Sequence, residues 1–167
     1  MSKTVEAHIL RDYILVREMG SGAYGHVWEV KDKDTGQSFA LKKVFDAFRN
    51  SIDAQRTYRE VEVLHRLRHE NIVKLYRVMK SKNKKDLYLV FELMEADLHS
   101  VVGTNILEKM HQIYIFYQVL RAIHYIHSAE LIHRDLKPSN VLINSECKAK
   151  ICDFGLIRSL AIGEENE

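Results

Sequence analysis

The chain has 167 residues, 46% of them hydrophobic, and a formal net charge of +2 at pH 7. That length suits one globular domain or two small lobes, and the small charge argues against a nucleic-acid or membrane-surface protein. No apolar stretch is long enough to span a membrane, and the N-terminus lacks a signal-peptide pattern. The two cysteines, Cys147 and Cys152, fit neither a zinc pattern nor a disulfide framework, which favours a reducing compartment. We therefore expect a cytoplasmic or nuclear protein.

The first third of the chain predicts three strands, because β-branched and aromatic runs alternate with turn-forming residues. They cover residues 13–16, 27–30 and 38–44. Between the first two lie Gly20, Gly22 and Gly25, spaced as G-x-G-x-x-G. Dinucleotide folds share this spacing, but there the glycines open a helix, whereas a strand follows here. A glycine hairpin can lay its N–H groups over phosphates; the alternative, a flexible turn, stays open.

A lysine and a glutamate form a predicted pair. Lys42 closes Phe-Ala-Leu-Lys in the third strand, close to the V-A-I-K pattern. Residues 54–68 predict a helix with Glu60 on its apolar face, beside Val63, Leu64 and Leu67. Candidate helix caps are Ser51 and Asp53. Because a carboxylate on an apolar face must be paired, we expect Lys42 to bind Glu60 and to be held toward phosphates. The alternative is a rotated helix with a solvated Glu60.

Two further strands are predicted over residues 72–78 and 86–91, which completes a small lobe of five strands and one helix. The basic run 80–85 between them is interpreted as a solvated loop rather than a docking patch. The only plausible boundary between the two lobes comes directly after the last of these strands. If the last strand ends at Phe91, the backbone groups of Glu92 and Met94 are free to hydrogen-bond a flat heterocycle, which would place adenine between the lobes.

The second part of the chain predicts a long helix and two short strands. Residues 108–128 carry apolar side chains almost all round the helix, so we expect it to be buried on all sides. His124 and His127 on it are expected to be packed or surface residues rather than metal ligands. Short strands at 141–143 and 149–151 would hold Asn140 and Asp153 on adjacent rungs of a sheet, facing the cleft.

The strongest motif runs from Ile132 to Asn140 and is followed by Asp153-Phe-Gly155. Phosphoryl transfer needs a carboxylate that accepts a hydroxyl proton and oxygen ligands that hold Mg²⁺. Asp135, Asn140 and Asp153 supply this set. The stretch matches the catalytic-loop pattern H-R-D-L-x-x-x-N with D-F-G behind it.

On these motifs, residues 11–160 resemble a eukaryotic protein kinase, and Lys137 follows the serine/threonine pattern. Five segments look like the mitogen-activated protein kinase family: 20–27, 55–60, 69–72, 94–98 and 135–140. Trp28, residues 45–48 and residues 151–160 resemble its atypical, self-phosphorylating extracellular-signal-regulated branch. The resemblance implies an α+β, protein-kinase-like two-lobe fold with a complete five-stranded small lobe plus one helix, and a truncated large lobe.

The resemblance also implies ATP and Mg²⁺ as cofactors and assigns residue roles. Asp135 would deprotonate the substrate hydroxyl, Lys137 would contact the γ-phosphate, and Asn140 and Asp153 would hold Mg²⁺. Lys42, paired with Glu60, would bind the α and β phosphates. The implied nucleotide-binding residues are Gly20, Gly22, Ala23, Tyr24, Gly25, Val27, Ala40, Lys42, Phe91, Glu92, Met94, Asp97, Ser139 and Leu142. Within that set, the adenine sandwich is Val27, Ala40 and Leu142, and the gatekeeper is Phe91. The internal hydrophobic spine matches His133, Phe154, Leu64 and Leu75.

The expected organisation is a small lobe with hinge over 1–94, a partial large lobe over 95–160 and a disordered tail over 161–167. The sequence contains no T-x-Y lip and no A-P-E. We therefore expect a mitogen-activated serine/threonine kinase that transfers the ATP γ-phosphate to protein hydroxyls, present as a fragment unable to complete catalysis.

The alternatives are a non-catalytic ATP-binding or scaffold module, and a fragment that folds unstably and competes for kinase partners. Expected partners of the full-length form are protein substrates and upstream kinases or the protein itself, with no nucleic acid and no membrane. An apolar surface exposed on the large lobe is expected to be a candidate partner site.

Overall fold

The computed structural model describes residues 4–22 and 25–160. These residues form two units, one from residues 4–57 and 74–93 and the other from residues 58–73 and 94–160. From Met94 onward the chain stays in the second unit, and this residue lies next to the expected lobe boundary. Residues 58–73, which the sequence placed in the small lobe, group with the second unit instead. The predicted disordered tail, 161–167, lies outside the described residues.

The first unit holds a five-stranded antiparallel sheet, as predicted. Its strands are β1 (Tyr13–Gly22), β2 (Gly25–Asp32), β3 (Ser38–Val44), β4 (Leu75–Lys80) and β5 (Leu87–Glu92). Their order across the sheet is β1-β2-β3-β5-β4. β1 and β2 are longer than the sequence indicated because their pairing continues to the glycines at Gly22 and Gly25. The basic run 80–85 includes the loop between β4 and β5, where its lysines are exposed.

The two faces of this sheet differ in burial, because side chains alternate along each strand. On β2 and β3 one face carries Trp28, Val30, Phe39 and Leu41, all buried. They belong to the core of the first unit, which comprises Ile9, Tyr13, Trp28, Val30, Phe39, Leu41, Tyr88 and Val90. The opposite face carries half-buried side chains, and the predicted nucleotide-binding residues of these strands lie there.

Helix α1 spans Ser51–Arg66 and is capped differently from the prediction. The Asn50 side chain accepts a hydrogen bond from the Asp53 N–H at 2.8 Å, so Asn50 is the cap and neither Ser51 nor Asp53 is. The buried side chains of this stretch are Thr57, Glu60, Leu64 and Leu67. Since Glu60 is only 7% exposed, the alternative of a rotated helix with a solvated Glu60 is wrong.

Over residues 94–160, the second unit contains five short strands and two α-helices. In chain order they are β6 (Ala96–Asp97), α2 (Leu98–Val102), α3 (Lys109–Ser128), β7 (Leu131–Ile132), β8 (Val141–Ile143), β9 (Ala149–Ile151) and β10 (Arg158–Ser159). β6, β8 and β9 form one antiparallel sheet, and β7 pairs with β10. The bounds predicted for β8 and β9 are confirmed. Ile72, predicted to start the fourth strand of the small lobe, instead forms a parallel bridge with Ile151.

Helix α3 is buried along one stripe only, so the expectation of burial on all sides is wrong. Its buried residues are Ile115, Gln118, Ala122 and Ile126. Large apolar side chains elsewhere on it are exposed: Met110, Ile113, Tyr114, Phe116, Tyr117 and Leu120. The predicted exposed apolar surface is therefore present in the described part of the chain. None of the helices described there is both long and apolar enough to cross a membrane.

Candidate active site

The catalytic loop brings three predicted site residues into one hydrogen-bonded group. Lys137 Nζ donates to both carboxylate oxygens of Asp135, at 3.1 and 2.9 Å. Asn140 Nδ2 donates to the main-chain oxygen of Asp135 at 2.8 Å and to its Oδ2 at 2.9 Å. The loop is compact enough for these contacts because Pro138–Asn140 forms a 3-10 turn. The Asp135 carboxylate is thus fixed by two different neighbours.

The contacts of Asn140 orient its amide. Both of its partners on Asp135 are oxygens, so the NH₂ group must face them and Oδ1 must point elsewhere. Asn140 is buried, and its backbone N–H donates to the Lys137 carbonyl at 2.9 Å. The amide oxygen is therefore held in a fixed direction, as a ligand for a hard cation requires.

The charges of this group reinforce one another. The hydrogen bond from Lys137 lowers the pKa of the Asp135 carboxyl, and the Asn140 amide acts in the same direction. Reciprocally, the carboxylate of Asp135 raises the pKa of Lys137. At neutral pH the pair is ionised. Asp135 can accept and orient a hydroxyl hydrogen, and Lys137 presents a positive charge suited to a phosphate oxygen.

His133 links the catalytic loop to the Asp-Phe-Gly segment. Its Nδ1 accepts the Asp135 N–H at 3.2 Å, so Nε2 carries the proton and donates to the Cys152 carbonyl at 2.9 Å. Its ring meets Phe154 edge-on, with centroids 4.9 Å apart. Burial lowers the pKa of His133 despite the opposing hydrogen bond with Cys152. The ring is therefore a neutral connector between Asp135 and the residue before Asp153.

Asp153, two residues after the end of β9, has an unusual backbone conformation. Its φ is +61°, and that of Arg134 in the catalytic loop is +68°, a region that residues other than glycine seldom occupy. The Arg134 side chain donates through Nε to the Leu156 carbonyl at 2.9 Å. The Cys152 N–H donates to the Asn140 carbonyl at 3.0 Å. This backbone hydrogen bond joins one predicted metal ligand, Asn140, to the residue that precedes the other, Asp153. The backbone strain at Arg134 and Asp153 is tolerated because the surrounding hydrogen bonds keep both residues in this conformation.

These residues fit Mg²⁺ by the chemistry of their donors. Asn140 and Asp153 offer an amide oxygen and a carboxylate, and Mg²⁺ usually takes one or two protein oxygens and completes its shell with water and phosphate. Within residues 4–22 and 25–160, no cluster of three or more His, Cys, Asp and Glu side chains is placed to hold a metal. His124 and His127 are both exposed, so of the two environments predicted for them, packed or surface, they occupy the surface.

The glycine-rich segment of the first unit caps a hairpin, as predicted. Gly20 pairs with Val27, and Gly22 with Gly25. A Cβ added to Gly20 or Gly22 would meet nothing within 4 Å, whereas one on Gly25 would lie 2.1 Å from the Lys43 carbonyl oxygen. Gly25 is therefore required by the close approach of β3. Ala23 and Tyr24, also predicted to bind nucleotide, lie outside the described residues.

Four predicted nucleotide-binding residues share the half-buried side of the first sheet. Val27 pairs with Lys42, and Ala40 pairs with Phe91. Lys42 Nζ lies 5.9 Å from the centre of the Phe91 ring, within range of a cation–π contact. Phe91 is only 8% exposed. This side of the sheet therefore places the ammonium group of Lys42 beside the apolar side chain of Phe91.

The predicted hinge differs at its first residue. β5 runs to Glu92 rather than ending at Phe91, and the Glu92 N–H donates to the Lys74 carbonyl at 3.0 Å. The expectation that both backbone groups of Glu92 are free is therefore wrong, because the sheet uses its N–H. Met94 is buried.

The remaining predicted nucleotide contacts lie in the second unit. Asp97 caps α2: Ser100 donates to it from its N–H at 2.9 Å and from its hydroxyl at 2.7 Å. Burial acts to raise the pKa of Asp97, but the bonds from Ser100 outweigh it and lower the pKa. Leu142 is half-buried opposite Asp97 in the sheet, and Ser139 is exposed. Their roles toward a nucleotide stay predictions, as does the pairing of Lys42 with Glu60.

Sequence reasoning missed two buried amides beside this site. Gln118 on α3 and Asn71 are 4% and 3% exposed, and Asn71 Nδ2 donates to Gln118 Oε1 at 3.0 Å. Asn71 belongs to a segment that the sequence related to kinases without assigning it a role. Gln118 carried a usable signal, because a single amide interrupts the apolar stripe formed by Ile115, Ala122 and Ile126.

Comparison with known proteins agrees with this arrangement. A model of the protein kinase domain matches residues 13–167, so the chain belongs to the protein kinase domain family. It is 54% identical over 160 residues to extracellular signal-regulated kinase 2 of Dictyostelium discoideum, which covers 95% of this chain and 43% of that protein. The predicted resemblance to mitogen-activated protein kinases is confirmed by this and further relatives.

Two of those relatives are named mitogen-activated protein kinase 15. The Xenopus laevis protein is 52% identical over 158 residues, which is 93% of this chain and 27% of the relative. The Caenorhabditis elegans protein is 48% identical over 167 residues, which is 99% of this chain and 36% of the relative. The chain thus spans less than half the length of each of these three curated relatives.

Proposed function

We propose that this chain carries the nucleotide-binding and catalytic-loop part of a mitogen-activated serine/threonine kinase. The observation that carries the proposal is the closed group of Asp135, Lys137 and Asn140, joined through His133 to the segment that bears Asp153. A carboxylate fixed in direction, a cation beside it and two oxygen ligands make up the chemistry of phosphoryl transfer.

Each residue has a task in this proposal. Asp135 orients the Ser or Thr hydroxyl and takes its proton as the hydroxyl oxygen bonds to the γ-phosphorus. The bond from that phosphorus to the β–γ bridging oxygen breaks, and ADP leaves. Lys137 neutralises charge on the transferred phosphoryl group, and Lys42 binds the α and β phosphates. Asn140 and Asp153 hold Mg²⁺, which when bound neutralises charge on the phosphate oxygens. The low pKa of Asp135 means that it acts mainly by positioning the hydroxyl.

The test is ATP binding by the 167-residue protein, measured calorimetrically with and without Mg²⁺. We expect binding that strengthens with Mg²⁺, with Lys42→Met weakening both forms and Asp153→Asn removing the gain from Mg²⁺. Lys31→Met, at an exposed lysine on β2 of the same sheet, is the control and should bind like the parent. A folded protein without ATP affinity in the presence of Mg²⁺ would refute the proposal.

A second candidate, a non-catalytic ATP-binding or scaffold module, is favoured by the apolar surface exposed on α3. Met110 and Phe116 there are 72% and 63% exposed, and surfaces of this kind bind partners. Phosphate transfer from labelled ATP to Ser/Thr peptides by these preparations, lost in Asp135→Asn, would support the kinase and refute a purely non-catalytic module.

We also propose that the complete protein acts in the cytoplasm or nucleus on protein substrates, under the control of upstream kinases or of itself. The family likeness supports the partners, and the two free cysteines, Cys147 and Cys152, support a reducing location. Fractionation of cells that express the complete protein, with phosphosite mapping, tests both statements.

A further inference from the structure

We propose that Gln118 and Asn71 are positioning residues for the Mg²⁺ ligand Asp153. This rests on the proposed function, because it assigns to two buried amides the task of fixing the strand that delivers a metal ligand. Neither residue touches the catalytic group directly. They act on β9, which ends two residues before Asp153.

The outer edge of β9 is held by these two residues and their neighbours. The Ala149 N–H donates to Gln118 Oε1 at 3.0 Å, and the Ala149 carbonyl accepts from Asn71 Nδ2 at 2.9 Å. Further along, the Ile151 N–H donates to the Asn71 carbonyl, and the Ile151 carbonyl accepts from the Val73 N–H, both at 2.9 Å. All four backbone groups on this edge are therefore bonded, two of them to side-chain amides.

Gln118 fixes the start of the strand from two sides. Besides accepting from Ala149, it donates through Nε2 to the Cys147 carbonyl at 2.7 Å, in the turn that precedes β9. Asn71 Nδ2 donates to the same Gln118 oxygen, so one side chain joins three chain segments. An apolar residue could fill this position on the stripe of α3. It could not, as the Gln118 amide does, accept through its oxygen and donate through its nitrogen at the same time.

A short series of backbone hydrogen bonds and peptide bonds leads from Gln118 and Asn71 to the metal ligand. Cys152 follows Ile151, donates its N–H to the Asn140 carbonyl and accepts from His133 at its own carbonyl. Asp153 comes next, in its left-handed conformation. Because successive Cα atoms lie at a fixed spacing across rigid peptide planes, a shift of β9 along its axis moves Asp153 relative to Asn140. Supporting residues of this kind commonly tune metal affinity.

The experiment measures ATP affinity of the complete 167-residue chain by calorimetry, in Mg²⁺ and in EDTA. Gln118→Met preserves side-chain length but leaves the Ala149 N–H without its acceptor. We expect the gain in affinity due to Mg²⁺ to fall about tenfold, with metal-free ATP affinity unchanged. Gln112→Met, an exposed amide on the same helix, should retain the full gain.

A purely structural role predicts a different pattern. Ala122→Gly, buried on the same stripe, serves as a control for lost stability, and it should keep the gain due to Mg²⁺ at a similar loss of melting temperature. Asn71→Ala provides a second variant, which keeps the backbone bond to Ile151 and should repeat the Mg²⁺-specific loss.

Amide hydrogen exchange gives a readout independent of ATP. In either amide variant the Ile151 and Cys152 N–H groups should exchange faster, while those in the middle of α3 should not. Full retention of the gain due to Mg²⁺ in both variants, or unchanged exchange at Ile151 and Cys152, would overturn this inference and leave the proposed function intact. A parent protein whose ATP binding is insensitive to Mg²⁺ would overturn both.

Discussion

The glycine-rich hairpin of the first unit and the catalytic loop of the second are built in opposite ways. A Cβ added at Gly20 or Gly22 would meet none of the described residues within 4 Å, and the groups proposed to bind phosphate there are backbone N–H groups. Around Asp135 and Asn140 the side chains are engaged in hydrogen bonds within the loop. One region is shaped by the absence of side chains and the other by side chains held in fixed directions.

The difference follows from what each region is proposed to bind. Phosphate oxygens can be bound by backbone N–H groups, which need only close approach and room. A metal ion and a proton acceptor need particular atoms at particular orientations, so their carriers are preorganised by neighbours. Side-chain truncation should therefore disturb the catalytic loop, whereas side-chain addition should disturb the hairpin wherever backbones approach closely.

The largest expected effect tests the hairpin. Gly25→Ala places a Cβ 2.1 Å from the Lys43 carbonyl oxygen, so β2 and β3 must separate. We expect a loss of about 2–3 kcal/mol in the free energy of unfolding, as for overpacked sites. Urea unfolding followed by the fluorescence of Trp28, the single tryptophan, measures it. Gly20→Ala is the matched control and should change stability by less than about 0.5 kcal/mol. Equal effects of the two changes would contradict the comparison.

An intermediate effect tests the catalytic loop by removing hydrogen-bond donors. Asn140→Leu keeps a similar volume but removes both donors to Asp135, in a side chain that is 6% exposed. We expect a loss of about 2 kcal/mol, because two hydrogen bonds to the half-buried Asp135, each contributing about 1 kcal/mol, are removed. The pKa of Asp135 should rise, since the Asn140 bond lowers it. Denaturation followed by circular dichroism and NMR titration measure the two changes. If exposed Ser139→Ala is equally harmful, the preorganised arrangement inferred for this loop is wrong.

The smallest expected effect is a pH dependence of the second region. Burial lowers the pKa of His133 in the folded protein, so the unfolded chain takes up a proton first as the pH falls. The stability due to neutral His133 is fully present above the ordinary histidine pKa of about 6.5 and is lost as pH falls toward the lower folded value. Burial also lowers the pKa of His69, which adds to the same slope.

Melting temperatures between pH 7.5 and about 5.5, above the range where carboxylates titrate, measure this dependence. We expect His133→Gln to flatten the fall of melting temperature with pH, and His133→Gln combined with His69→Gln to flatten it further. An unchanged slope in the single variant would show that His133 is not held neutral.

Much of the fold and of the site could be predicted from local signals. The bounds of β8 and β9 follow from short β-branched runs around a polar turn. Asp135, Asn140 and Asp153 stand out because their chemistry is encoded in a contiguous motif. These features depend on residues close together in the chain, so their spacing alone is informative.

Other features depend on contacts between distant residues. The buried stripe of α3 was hidden because apolar side chains occur on nearly all of its faces, and only packing against β8 and β9 selects one. The cap of α1 at Asn50 was missed because Ser51 and Asp53 are also good caps in isolation.

The sequence by itself determined the kinase-like strand and turn pattern and the identity of the acid, amide and carboxylate that define the site. Only the tertiary structure decided the direction of the Asn140 amide, the tautomer of His133 and the joining of Asn71, Gln118 and Ala149. For the joining of Asn71, Gln118 and Ala149, the physical reason is that hydrogen bonds between residues 31 to 78 positions apart leave no periodic trace in the chain. They exist only once the segments that carry them are packed together.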